Sequence, residues 1–180
     1  MKRFVLAGNP NSGKTTLFNI LTGSSAHVGN WPGVTVDKRE GFYKKQGEQI
    51  AILDLPGIYS LSPYSQEEII ARNAILNDKP DCIINVVDAT NLERNLYLTT
   101  QLLEIDVPVV VALNMIDAVN RSGDVLDAAT LEAKLGVPVI AVSALKESHI
   151  DLLINRAIEA SSLPRKATSV LFESHLGGTL

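Results

Sequence analysis

Residues 8–15 read Gly-Asn-Pro-Asn-Ser-Gly-Lys-Thr and match the phosphate-loop pattern G-x-x-x-x-G-K-[ST]. Residues 4–7 are apolar and suit a buried strand, whereas residues 16–21 carry apolar side chains at helical spacing. Glycines between a strand and a helix let backbone N–H groups face an anion, and the helix N-terminus adds a positive dipole end. The phosphate-binding residues predicted here are Gly8, Asn9, Pro10, Asn11, Ser12, Gly13, Lys14, Thr15 and Thr16. Among them, Lys14 would reach the β- and γ-phosphates and the Thr15 hydroxyl would bind magnesium.

The length of 180 residues fits one domain, or one domain plus a tail. An apolar share of 46% is ordinary for a globular core. A net charge of −4 disfavours a nucleic-acid partner, and no apolar run reaches the length of a membrane span. The single Cys82 cannot form an internal disulfide, which fits a reducing compartment. We expect a domain over residues 1–161. The segment 162–180 is expected to hold a linker and the start of something longer, since the chain ends at a Gly-Gly-Thr-Leu sequence.

Strand and helix signals alternate after the phosphate loop, which predicts an α/β fold with a mostly parallel, doubly wound sheet and helices on both faces. A hairpin turn at 44–47 adds one antiparallel edge strand. Ser65 and Glu68 form a capping-box pattern, and we interpret Glu68 as a solvated charge at a helix start. Residues 24–32 are expected to form a loop. Residues 33–36 lead into a predicted strand that ends near Tyr43. Further strands are predicted at 50–53, 82–87, 107–113 and 137–142, and helices at 66–76, 91–103, 128–135 and 147–160.

A second nucleotide signature, D-x-x-G, follows the strand at 50–53 and comprises Asp54, Leu55, Pro56 and Gly57. Such a turn after a strand is a weak signal alone and a strong one behind a phosphate loop. The Asp54 carboxylate can hold magnesium through a water molecule, and the Gly57 N–H can sense a γ-phosphate. Ligands of such sheets bind beyond the carboxyl ends of the strands, where both signatures lie.

A third signature indicates guanine rather than adenine. Asn114, Met115 and Asp117 follow the strand at 107–113, and the Asp117 carboxylate can accept from guanine N1–H and from its exocyclic amine. Adenine offers no such donor pair, so Asp117 would reject it. The alternative for Asn114 and Asp117 is ordinary turn chemistry after a strand. A backbone N–H for the guanine oxygen is expected after the last predicted strand, at Ser143, Ala144 and Leu145.

The ordered signatures resemble the Ras-like, TrmE-Era-type P-loop GTPase superfamily over residues 3–160. Two positions depart from its usual pattern. Met115 stands where a lysine usually packs along the base, and its unbranched thioether can do the same. Ile58 stands where a glutamine often orients the attacking water, so other groups must place that water.

Three stretches narrow the resemblance: the phosphate loop, Val-Gly-Asn-Trp-Pro-Gly-Val-Thr-Val at 28–36, and Asn-Val-Val-Asp-Ala-Thr-Asn-Leu-Glu-Arg-Asn-Leu at 85–96. Together they closely resemble the N-terminal cytosolic domain of the bacterial ferrous-iron transporter FeoB. The resemblance implies a slow GTPase switch on the cytoplasmic face of the inner membrane, followed by a helical spacer and a membrane-embedded transport part. A homo-oligomer through the full-length protein is left open. We assign no residue of this chain to iron.

The resemblance also implies roles in catalysis. Thr35 corresponds to the first-switch threonine that binds magnesium beside GTP, with Gly33 and Val34 next to it, and Leu55 to about Glu67 would form the second switch. An asparagine at position 11 is associated with potassium, which would supply the positive charge of an arginine finger, with carbonyls from Gly29 to Trp31 as further ligands. Asn11 could instead stabilise the loop by bonding to its backbone. Catalytic roles are thus expected for Lys14, Thr35, Gly57 and Asn11.

Two other classes of function are left open. One is a soluble GTPase of the ribosome-assembly or tRNA-modification kind, which shares the P-N-x-G-K loop. The other is a module that binds nucleotide without hydrolysing it, because the usual glutamine is missing.

Overall fold

The computed structural model describes residues 1–163 except 46, 122, 124, 125 and 143–146. The predicted guanine contacts at Ser143, Ala144 and Leu145 therefore lie outside the described residues, as does the tail from residue 164. The domain boundary after residue 161 accordingly stays a prediction.

One mixed sheet forms the centre of the described chain, and every predicted strand is present in it. Its strands are β1 (Lys2–Gly8), β2 (His27–Asn30), β3 (Asp37–Lys45), β4 (Glu48–Asp54), β5 (Cys82–Asp88), β6 (Val109–Asn114) and β7 (Val139–Val142). They lie across the sheet in the order β2-β3-β4-β1-β5-β6-β7. β1 pairs in parallel with β4 and β5, and β6 and β7 continue the parallel part. The predicted α/β fold, mostly parallel with an antiparallel edge, is confirmed.

The antiparallel edge holds one more strand than the sequence predicts. β3 pairs antiparallel with β4, and β2 then pairs antiparallel with the outer side of β3. The predicted loop is therefore wrong for residues 27–30. All four residues of β2 are exposed, so their sequence lacks the alternation of apolar and polar residues that predicts a strand. Gly29 and Asn30 also suggest a turn. Backbone pairing with β3, and not burial of side chains, keeps β2 in the sheet.

The helices agree with the predicted ones, apart from one addition. Their bounds are α1 (Lys14–Thr22), α2 (Gln66–Leu76), α3 (Leu92–Leu102), α4 (Ile116–Arg121), α5 (Ala128–Leu135) and α6 (Glu147–Ser161). Helix α4 was not expected; it is short and buries none of its residues. The predicted cap of α2 is confirmed, because the Ser65 hydroxyl accepts from the Glu68 N–H at 3.1 Å. Within the described residues, no helix is both long and apolar enough to cross a membrane.

Alternating side chains of β1 build a core on each face of the sheet. Phe4 and Leu6 join a buried cluster with α1 and α6, whereas Val5 and Ala7 join one with α2 and α3. β5 is buried along its whole length, as expected for a strand covered on both faces. These layers place the carboxyl ends of β4, β1 and β6 at the same edge of the sheet, with β5 between β1 and β6. The three predicted signatures therefore meet at one edge of the sheet.

Candidate nucleotide-binding site

The phosphate loop leaves β1 at Gly8 and enters α1 at Lys14, as its sequence predicts. Two of its residues have left-handed backbones: Asn11 with φ 66° and Gly13 with φ 94°. Gly13 is the N-cap of α1, and no side chain caps this helix start. The first N–H groups of α1 are therefore left for a ligand, and the helix dipole favours an anion there.

Asn114 joins the predicted base-binding segment to the phosphate loop. Its amide nitrogen donates to the Ser12 carbonyl at 3.1 Å, and its amide oxygen accepts from the Met115 N–H at 3.0 Å. A Cβ atom on Gly13 would collide with the same amide nitrogen. Position 13 therefore needs glycine for space as well as for its positive φ. This contact joins the two signatures directly.

Lys14 and Asp54 form a buried ion pair between the first two signatures. The Lys14 Nζ lies 2.6 Å from Asp54 Oδ1 and also donates to the Leu55 carbonyl at 2.6 Å. The two residues are only 7% and 6% exposed. Burial raises the pKa of the Asp54 carboxyl, and the nearby charges of Lys14 and Arg39 partly oppose this effect. Phosphate oxygens that bind Lys14 would compete with this carboxylate.

Two buried polar atoms of the loop have no hydrogen-bond partner among the described residues: Asn9 Oδ1 and Ser12 Oγ. Asn9 is 4% exposed and Ser12 is 1% exposed. Buried polar atoms in proteins are normally paired, so unpaired ones in a phosphate loop fit a bound ligand or water. Thr15 and Thr16, in contrast, are exposed at the start of α1.

The D-x-x-G segment packs directly on the phosphate loop. The Ile58 N–H donates to the Gly8 carbonyl at 3.0 Å. A Cβ atom on Gly57 would come within 3.1 Å of the Pro10 backbone, so this close approach favours glycine. Leu55 and Ile58 themselves are buried in the core beneath the site. The structure thus brings Gly57 next to the loop, as the sequence predicts.

The predicted first-switch residues lie apart from these contacts. The turn that follows β2 is closed by the Trp31 N–H, which donates to the Val36 carbonyl at 3.0 Å, and by the Trp31 carbonyl, which accepts from the Val34 N–H at 3.2 Å. The Trp31 ring packs against the core cluster of α2 and α3, with the Lys38 ammonium 4.8 Å from its centre. Thr35 is exposed. Gly33, Val34 and Thr35 therefore make none of the phosphate-loop contacts described above, and Gly29 pairs with Lys38 in the sheet.

The base-binding segment turns sharply after β6. Met115 has a left-handed backbone, with φ 62°, and is 38% exposed. Its methyl group would lie 3.9 Å from a Cβ atom on Gly13, so the thioether lies beside the phosphate loop. Asp117 is exposed in the first turn of α4. Its carboxylate is therefore accessible to a ligand.

Sequence reasoning missed a buried polar chain behind the loop. The Thr99 hydroxyl donates to Asn85 Oδ1 at 2.5 Å, and Asn85 Nδ2 donates to the Ala7 carbonyl at 3.1 Å. Thr99 and Asn85 are 0% and 1% exposed. The available signal was Asn85 itself, a polar residue inside an otherwise apolar strand, since buried amides are nearly always paired.

A cavity of about 480 Å³ lies elsewhere, at the amino-terminal end of β1. Its walls include Arg3, Lys38, Glu40, Phe42 and Leu53. It offers neither a helix start nor a glycine-rich backbone for an anion. We therefore locate the functional site at the phosphate loop, where buried unpaired atoms and a lysine converge.

Comparisons with known proteins show the family of the chain. A family model described as ferrous iron transport protein B matches residues 2–157. The Fe(2+) transporter FeoB of Escherichia coli K12 is 51% identical over 152 residues, which cover 82% of this chain and 20% of that protein. The chain thus spans about a fifth of the length of this curated relative.

Solved structures give the same result. A GDP-bound mutant of the S. thermophilus FeoB G-domain superposes with a TM-score of 0.86 at 52% identity, covering 91% of this chain and 64% of that one. The G domain of the T. maritima FeoB iron transporter gives a TM-score of 0.83 at 40% identity, covering 90% and 99%. The family match spans most of the chain, and both structures share its fold. The chain therefore belongs to the ferrous iron transport protein B family, in which it corresponds to the N-terminal GTPase domain.

Proposed function

We propose that this domain binds guanine nucleotides, hydrolyses GTP and serves as the nucleotide switch of a ferrous-iron transporter. The observation that carries the proposal is the convergence of the three signatures at one sheet edge. There Lys14 meets Asp54, and Asn114 holds the phosphate loop through Ser12. The GDP-bound structures of relatives support the choice of nucleotide.

Each part of the nucleotide would have its own partner in this site. The uncapped start of α1 would bind the phosphates, and Lys14 would turn from Asp54 toward the β- and γ-phosphates. The Asp117 carboxylate would accept from guanine, with Met115 along the base. Ser143, Ala144 and Leu145 would complete the base pocket.

The donor set also fits magnesium. Thr15, Thr35 and Asp54 would hold the ion, since hydroxyl and carboxylate oxygens are its preferred ligands. Bound magnesium would neutralise charge on the β- and γ-phosphates. The exposed Thr15 and Thr35 are free to turn toward such an ion, and Asp54 becomes available when Lys14 leaves it. The Gly57 N–H would contact the γ-phosphate from the other side.

Potassium would require the first switch to rearrange. Asn11 is exposed on a left-handed turn, which suits a ligand at the loop surface. The Trp31 carbonyl, in contrast, already accepts from Val34, and Gly29 lies within β2. We infer that the turn after β2 opens when GTP binds and that its carbonyls then join Asn11 around the cation.

The role in iron uptake follows from family membership. Relatives named Fe(2+) transporter are several times longer than this chain, so transport itself would take place in a part outside it. The switch would act on the membrane-embedded part from the cytoplasmic face. The family comparison does not favour the alternative of a soluble ribosome-assembly or tRNA-modification GTPase.

The test is phosphate release from GTP in potassium and in sodium chloride at equal ionic strength. The wild-type chain should hydrolyse GTP faster in potassium, because a cage of carbonyl oxygens formed by a loop suits the larger cation. Asn11→Ala should abolish this difference and keep nucleotide binding. Asn19→Ala, which changes an exposed asparagine on α1, is the matched control and should behave as wild type. Equal wild-type rates in both salts would contradict the potassium role, and absence of hydrolysis in both would contradict the GTPase function.

A further inference from the structure

Two helices hold the second switch at Leu61. The Leu61 N–H donates to Gln101 Oε1 at 2.7 Å, and the Leu61 carbonyl accepts from Arg72 Nη1 at 3.2 Å. Gln101 belongs to α3 and Arg72 to α2. The Arg94 guanidinium of α3 also lies 4.3 Å from the centre of the Tyr59 ring. Both backbone polar groups of Leu61 are thus held by side chains from outside the switch.

Gln101 stands on a part of α3 that is fixed to the phosphate-binding edge. Thr99, two residues earlier, reaches the Ala7 carbonyl through the buried amide of Asn85. Ala7 immediately precedes Gly8, the first residue of the phosphate loop. Buried, fully paired polar networks of this kind rigidify the elements they join. The position of Gln101 relative to the loop is therefore well defined.

The other end of the same segment is held by the phosphate loop itself. The Ile58 N–H donates to the Gly8 carbonyl at 3.0 Å, and Gly57 packs against Pro10. Only residues 59 and 60 separate this contact from Leu61. Gly57 precedes Ile58 and so lies outside this loop. Because the loop is so short, the bonds at Leu61 limit how far Ile58, and with it the adjoining Gly57, can move from the phosphate loop.

We propose that Gln101 is a positioning residue for GTP hydrolysis. By accepting from the Leu61 N–H, it keeps the Gly57 N–H directed at the γ-phosphate. This inference rests on the proposed function, in which Gly57 contacts that phosphate. GDP lacks the γ-phosphate, so Gln101 should matter for hydrolysis and not for GDP binding.

Three variants of Gln101 separate positioning from a structural role. Gln101→Glu keeps an acceptor oxygen at the same reach and should retain the wild-type rate. Gln101→Leu removes the acceptor oxygen. Gln101→Asn keeps a polar amide at this position but shortens the side chain, so that its oxygen cannot reach the Leu61 N–H. Both should lower the single-turnover rate of GTP hydrolysis by about three- to tenfold, the effect of losing one hydrogen bond. Thr100→Val is the control, because the Thr100 hydroxyl donates to the Tyr97 carbonyl within α3.

The GDP dissociation constant and the melting temperature are measured for each variant. The proposal requires a lower hydrolysis rate with unchanged GDP affinity in Gln101→Asn, and recovery in Gln101→Glu. Wild-type hydrolysis by Gln101→Asn, or a GDP affinity that falls by the same factor as the rate, would overturn it. A wild-type chain that releases no phosphate would instead overturn the proposed function.

Discussion

The Lys14 ammonium nitrogen lies 2.6 Å from Asp54 Oδ1, so the cation of the phosphate loop is paired with the carboxylate of the second signature. Both groups are buried, and a buried charge that loses its partner is strongly unfavourable. A nucleotide bound as we propose would therefore have to supply replacements for both groups: phosphate oxygens for Lys14 and magnesium for Asp54. This exchange links metal binding to phosphate binding.

Asp54→Asn should remove the competitor for Lys14 together with a magnesium ligand. We expect GDP affinity in EDTA to rise by roughly tenfold, since a charge-assisted hydrogen bond no longer has to be broken. Added magnesium should improve GDP affinity much less than in the wild type. Titration of a fluorescent GDP analogue with and without magnesium measures both effects. Asp81→Asn, at the opposite end of the sheet, is the control, and weaker GDP binding by Asp54→Asn in EDTA would contradict the exchange.

Asp117→Asn should change the choice of base. The amide of asparagine presents a donor that matches the extra carbonyl of xanthine and no longer accepts from both guanine donors. GTP affinity should fall by about a hundredfold or more, and xanthosine triphosphate should become the better ligand. Competition titrations of both nucleotides measure the switch. Asp127→Asn, which can still cap α5, should leave base choice unchanged, and an unaltered GTP affinity in Asp117→Asn would refute the assignment.

Thr15→Ala and Thr35→Ala should differ in their effect on GDP. Thr15 lies in the first turn of α1 and would hold magnesium with either nucleotide, so its loss should weaken GDP and GTP by about tenfold or more. Thr35 is exposed and would be drawn in only by GTP, so its loss should spare GDP. Calorimetric titration with GDP and with a non-hydrolysable GTP analogue gives the four affinities. Equal loss of GDP affinity in the two variants would be inconsistent with these roles.

The parts of the site that local sequence encodes were predictable. Residues 8–15 specify a loop between a strand and a helix, and the glycines are required there by backbone conformation and by close contacts. The cap of α2 was likewise predictable from the sequence, because it depends on Ser65 and Glu68, which are three positions apart. Such features need no knowledge of the fold.

The parts that depend on distant contacts were not predictable. Asn114 and Ser12 are 102 residues apart, and only the folded sheet brings them together. Strand β2 shows no apolar pattern in the sequence, since it is held by backbone pairing with β3 and does not need buried side chains. Glu68 was interpreted as a solvated charge, yet its carboxylate also accepts from the Ser60 hydroxyl at 3.0 Å. In each case the deciding partner lies outside the local pattern.

Ionisation of Tyr43 should lower the stability of the fold at alkaline pH. Burial raises the pKa of the Tyr43 hydroxyl from 10.0 to about 12, and Asp151 adds to this effect. Asp151 accepts a hydrogen bond from the hydroxyl and also carries a negative charge beside it. The stabilisation by Tyr43 is therefore complete below pH 10 and is lost as the pH rises through 12. Relative to Tyr43→Phe, the wild type should melt about 2–4 °C higher at pH 9, the effect of one hydrogen bond.

This difference should vanish near pH 12. Melting curves from pH 9 to 12 test the expectation, with Tyr97→Phe at an exposed position as the control that should keep the wild-type profile. A constant difference between wild type and Tyr43→Phe over this range would contradict the assigned direction.

We expect the phosphate loop and Asp117 together to make this chain a GTP-hydrolysing enzyme. The most direct test is multiple-turnover phosphate release with magnesium and potassium, from GTP and separately from ATP, by the wild type and Lys14→Ala. The account predicts release from GTP, none above background from ATP, and loss of the GTP reaction in Lys14→Ala. Release from GTP no faster than with Lys14→Ala, or equal release from ATP, would contradict it.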